Sequence, residues 1–133
     1  MAKFIISLIA AVAFCYLAEA VTSGDYHAAI NRVATLERQS AQTRLNTALA
    51  PSPASTPLAH ACIGAVRARS YREINLALVA VENQLRADAA TKTDADLAAV
   101  TLEQVTQQVT DAIHSAVDAV VTRLEGEAAN CQV

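Results

Sequence analysis

A chain of 133 residues with a formal net charge of −3 has room for one domain. Its 10 Lys and Arg are outnumbered by 13 Asp and Glu, and it has only three glycines and no Trp. That balance argues against a nucleic-acid binder, which needs a basic face, and the scarcity of glycine argues against phosphate-cradling loops.

Residues 1–20 read as a secretory signal. Lys3 supplies the positive start, Phe4 to Leu17 is an apolar run, and Ala18 and Ala20 are the small residues of a cleavage site. The run is shorter than the about 20 apolar residues a membrane span needs. Bulky Phe14 stands before Cys15, where a lipoprotein signal needs a small side chain. The bland alternative is an N-terminal core helix; export is the preferred reading.

Cleavage would remove Cys15 and leave Cys62 and Cys131, an even count that reads as one disulfide in an oxidising compartment. It would also leave Tyr26 and Tyr71 as the aromatic residues, so the core must come from Ala, Val, Leu and Ile. Val, Leu and Ile make up 26 of the 113 remaining residues. That is about 23%, against the roughly 20% below which chains tend to stay disordered. A bond from Cys62 to Cys131 closes a loop of about 70 residues, worth about 4 kcal/mol by chain entropy. We expect it to be structural rather than a pair of interchain or reactive thiols.

The first mature segment, residues 21–50, is expected to be a helix from Thr22 to about Leu49. Thr22 or Ser23 can cap it, and Asp25 suits the dipole of the first turn. Tyr26, Ile30, Val33, Ala41 and Leu45 form an apolar stripe that Glu37 and Arg44 interrupt, so this helix is expected to pack least firmly. Prolines at 51, 53 and 57 then break the pattern. Residues 51–57 are read as an interhelix linker in preference to an O-glycosylated or protein-binding tract.

Residues 58–133 are expected to form a helical hairpin. Thr56 caps the second helix with Pro57 in its first turn. Ile63, Val66, Ser70, Ile74, Ala77, Val81 and Leu85, with Leu78 beside them, recur at steps of three and four. Asp88 to Asp94 is the turn, and Thr93 with Asp96 resembles a capping box. The third helix is expected from Asp94 to Glu125, with the stripe Ala98, Leu102, Val105, Val109, Ala112, Ala116 and Val120, flanked by Ile113 and Leu124. Its other face carries Glu103, Gln107, Asp111, His114 and Asp118, and Gly126 is the expected stop.

Charge supports folding back. Residues 21–87 carry a net +3 and residues 88–133 a net −6, so Arg67, Arg69 and Arg72 should approach Asp118, Glu125 and Glu127. One register problem stands. In a straight hairpin Cys131 overshoots Cys62 by about 11 residues, roughly 16 Å, which the chain after Gly126 would have to recover by turning back.

Chemistry-bearing constellations are few. His27, His60 and His114 lie on separate segments and are read as ordinary solvated side chains; His114 and Asp118, four apart, offer at most half a metal site. No nucleophile motif or isolated carboxylate pair occurs, so the reading is no enzyme, no cofactor and no metal. A membrane-disrupting helix would need a strongly basic face and bulky apolar anchors, which this chain lacks.

His60-Ala-Cys62-Ile-Gly-Ala-Val66, the Val/Gln/Thr-rich stretch Val100–Val109 and the terminal Ala-Ala-Asn-Cys131, with the signal, resemble small secreted insect proteins with a TsetseEP-type domain. The resemblance implies a helical product of gut or glandular tissue and brings no functional residues with it. A looser similarity to exchangeable insect apolipoproteins implies lipid carriage.

The expectation is an all-α protein: an antiparallel helical hairpin plus a looser N-terminal helix, together a three-helix bundle closed by one disulfide. It is read as a secreted, extracellular, non-catalytic interaction or structural component. The alternative is an extracellular carrier of lipid or another apolar ligand. Expected partners are an extracellular protein, with no nucleic acid and no stable membrane insertion, and the chain itself is expected to be a monomer or weak homodimer.

Overall fold

A computed structural model of the protein describes residues 21–50 and 55–131. The expected signal with its cleavage residues Ala18 and Ala20, Cys15, and residues 51–54 of the proline linker lie outside the described residues.

Among the described residues the elements are α1 (Ser23–Ala48), α2 (Pro57–Ala90), α3 (Asp94–Ala98) and α4 (Leu102–Cys131). The three long helices run up, down and up. The start of α1 meets the end of α2 through Arg86 and His27, and Cys62 of α2 meets Cys131 of α4. The protein is an all-α three-helix bundle.

The helix starts follow their caps. Thr22 Oγ1 accepts from the Asp25 amide at 3.1 Å while Asp25 accepts from the Thr22 amide at 2.9 Å. Thr56 Oγ1 accepts from the Ala59 amide at 3.1 Å, with Pro57 in the first turn. Thr93 and Asp96 form the expected capping box. The turn is narrower than Asp88–Asp94, because α2 continues to Ala90 and buries Ala89.

The third helix differs from its expected form. The stretch from Asp94 is interrupted after Ala98, and a second start follows at Thr101, whose Oγ1 accepts from the Gln104 amide at 3.1 Å while Gln104 Oε1 accepts from the Thr101 amide at 3.0 Å. The residues Thr101-Leu-Glu-Gln104 form a second capping box beyond the expected one at Thr93. Gly126 does not stop the helix either: α4 runs on to Cys131, and no described glycine has positive φ.

These two changes resolve the register. From Cys62 to Ala90 α2 runs 29 residues, and α4 has 30. The corner formed by α3 takes up the excess, so the two helices are matched in length and no turn back is needed after Gly126.

The buried line of α4 is also rotated. Val105, Val109, Ile113, Val117, Val121, Leu124, Ala128 and Cys131 are buried, whereas Leu102 is 46% exposed and Ala112, Ala116 and Val120 are only half-buried. A seam of alternating threes and fours suits one partner helix. Here α4 faces both α1 and α2, so its innermost line bisects them. On α2 the same cause buries Leu78 and leaves Ala77, Val81 and Leu85 half-buried.

The whole expected stripe of α1 is buried, joined by Ala29 and Ala34. Expected to pack least firmly, α1 contributes as many buried residues as α2. Its interrupting charges lie at the edge of the stripe and reach across to α4. Leu49, just beyond α1, is 1% exposed and closes the core at that end.

Candidate interaction surface

The polar side chains best suited to chemistry are used between helices. Arg44 of α1 donates from Nη1 to Asp118 Oδ1 at 2.6 Å, and from Nη2 to Glu125 and to Thr122 Oγ1 of α4. The guanidinium hydrogen bond holds the Asp118 carboxyl below the usual carboxylate range, and the two carboxylates hold Arg44 more firmly protonated. At the disulfide end, Arg69 donates to Glu127 at 3.1 Å and Arg123 to Glu73 at 3.0 Å.

This distribution corrects the expected pairing. Of Arg67, Arg69 and Arg72, Arg69 alone reaches an expected carboxylate. Arg67 donates to the Leu49 carbonyl at 3.3 Å. Asp118 and Glu125 go to Arg44, the expected interruption of the α1 stripe. A cation at the edge of that stripe, with acidic residues accumulating in α4, is the signal that could have revealed it. Parallel α1 and α4 bring the two together.

The histidines remain apart. His27 Nδ1 lies 2.8 Å from Arg86, which also donates to Asn31. His114 Nδ1 lies 3.1 Å from each carboxylate oxygen of Glu37, so His114 and Asp118 turn to different α1 residues instead of sharing a ligand. His60 is exposed. Among the described residues no group of three or more His, Cys, Asp or Glu is placed to hold a metal ion.

Cys62 and Cys131 are brought together as a disulfide pair, with Cα atoms 5.6 Å apart. That separation lies in the usual range for such a bond. The pair ties the exposed start of α2 to the buried last turn of α4.

What remains is surface. Between α2 and α4 runs an open groove of about 690 Å³, where Ala77, Ala80 and Val81 face Ala112, Ser115 and Ala116. Beside it on α2, Leu76 is 59% and Val79 49% exposed. A smaller recess between α1 and α2 is lined by Arg38, Gln42, Tyr71 and Asn75. Among the described residues no helix is long and apolar enough to cross a membrane.

No family model matches the chain, and no curated protein or solved structure is similar enough to count as a match.

Proposed function

We propose that the protein is a secreted, non-catalytic helical component of an extracellular fluid or lining, working through surface contacts of a rigid bundle. One observation carries this reading. Arg44, Asp118, Glu125, His114, Glu37, His27 and Arg86, the groups best able to do chemistry, bond to one another across helices. The pair Cys62–Cys131 adds a brace suited to an oxidising compartment. The similarity to secreted insect proteins with a TsetseEP-type domain points the same way.

The test is recovery of the protein from a secreting host, with intact mass measured before and after reduction. The expected product begins at Val21 and gains two hydrogens on reduction; affinity capture from extracellular fluid then yields a partner. A product that stays inside the cell with residues 1–20 attached overturns the reading.

A further inference from the structure

We infer that the Cys62–Cys131 bond is a latch opened by small thiols: a thiol of the glutathione kind exchanges onto Cys62, and Cys131 departs together with the last turn of α4. The two ends of the bond are not equivalent. Cys62 is exposed near the start of α2, whereas Cys131 is 7% exposed at the end of α4. Exchange requires an incoming thiolate to reach one of the two sulfurs, so access selects the one attacked.

Helix ends set a competing preference. A helix N-terminus lowers a thiol pKa and makes that thiolate the better leaving group, which would favour attack at Cys131 with Cys62 leaving. Cys62 is the sixth residue of α2, however, and the field of a helix end falls off within its first turn. The burial of Cys131 therefore decides.

The exchange balances without another reagent. The thiol gives its proton to solvent, and its sulfur bonds to Cys62 Sγ as the Sγ–Sγ bond breaks. Cys131 leaves as a thiolate and takes up one proton. The products are a mixed disulfide at Cys62 and a free thiol at Cys131.

What the bond holds is the segment beyond Gly126. Glycine weakens a helix interior, yet α4 continues for five residues past it. The last four carbonyls of a helix have no partner within it. Among these five residues Ala128 and Cys131 are buried, and Glu127 reaches α2 through Arg69 at 3.1 Å. That ion pair is partly solvated and holds little by itself. Once Cys131 is cut loose, one small buried side chain and one weak pair remain, and the turn frays. On the other side of Gly126, Leu124 is fully buried and Arg123 stays paired with Glu73 at 3.0 Å, so the release stops there. The latch does not depend on where the chain works, and its failure would leave the extracellular reading standing.

The test exposes the oxidised protein to glutathione, blocks free thiols with iodoacetamide at successive times, and weighs the tryptic peptides. The first adduct is expected to carry glutathione on Cys62 and the blocking group on Cys131. Hydrogen exchange of the fully reduced protein should show residues 127–131 losing protection about tenfold or more while residues 105–124 keep theirs. Gly126→Ala should recover part of that protection in the reduced protein. Cys62→Ser/Cys131→Ser should reproduce the reduced pattern, with circular dichroism still helical. Glutathione found first on Cys131, on both cysteines equally, or on neither overturns the proposal. So does a reduced protein whose residues 127–131 stay protected, or one that loses protection along the whole of α4.

Discussion

Arg44 lies 74 residues before Asp118 in the chain, yet its Nη1 donates to the Asp118 carboxylate at 2.6 Å. Asp118 and Glu125, two turns apart on α4, grip the same guanidinium, which fixes α4 against α1 both along its length and about its axis. A bifurcated grip of this kind gives register more than stability, because the groups are partly solvated and screened.

The pH dependence follows from the sign of the shift. Asp118 has a lower pKa folded than unfolded, and so has Asp96, whose carboxyl is held by the backbone and side chain of Thr93. Below the unfolded pKa the unfolded chain binds more protons at these sites than the native one does, so acid favours unfolding. Their contribution is fully present above about pH 4 and is lost as pH falls through the lower native values. Thermal melts at stepped pH should show the midpoint falling in that window, and Arg44→Met should make the fall shallower. A fall unchanged by Arg44→Met would remove Arg44 as its cause.

Reduction should be a large perturbation. Opening the loop between Cys62 and Cys131 should cost about 4 kcal/mol, or roughly 15–30 °C in midpoint for a domain of this size. Melts of the wild type with and without reductant, beside Cys62→Ser/Cys131→Ser, check this; an equal midpoint in all three would refute it.

Gly64 and Gly126 sit inside helices, and a Cβ at either would meet nothing within 4 Å. With no steric cost, Gly64→Ala and Gly126→Ala should each stabilise by about 0.5–1 kcal/mol through the unfolded chain's lost freedom. Urea titration at constant m-value reads this directly. Destabilisation by Gly126→Ala would mean that the last turns of α4 are not helical.

Core and surface positions on α2 should separate cleanly. Leu78 is fully buried and Leu76 mostly exposed, two residues apart. Leu78→Ala should cost about 2–5 kcal/mol by leaving a cavity, while Leu76→Ala should stay within about 0.5 kcal/mol. Comparable losses at both sites would mean that α2 is rotated from the orientation described.

Removing the second start of the last helix should also register. Thr101→Ala deletes the acceptor for the Gln104 amide and should cost about 1 kcal/mol. Thr106→Ala, which loses a back-bond to the Leu102 carbonyl on an exposed turn, is the control expected near zero.

Much of this architecture was legible because it is local. The apolar stripe of α1 and the starts at Thr22, Thr56 and Thr93 follow from spacing and cap chemistry, whereas the pairing of Cys62 with Cys131 follows from the cysteine count once Cys15 is set aside with the expected signal. What escaped was set by a third body. A seam read for a hairpin put Ala112 and Ala116 at the centre of α4, but a helix with two neighbours buries Ile113 and Val117 instead. Arg44 looks like a flaw in one stripe because its carboxylates belong to a helix that sequence order does not place beside α1. Propensity alone makes Gly126 a stop, yet α4 continues to Cys131. The polar contacts of the surface are similarly invisible until helices are placed.

The closely matched lengths of α2 beyond Cys62 and of α4 make the bundle a gauge for insertions and deletions. One residue added within either rod would advance everything beyond it by 1.5 Å and swing it through about 100°, carrying one sulfur away from the other. The corner around α3, from Thr91 to Thr101, lies outside both rods and is where a change of chain length could be absorbed. Drift in length across related chains should therefore collect at that corner, while the count of residues from each cysteine to it stays fixed.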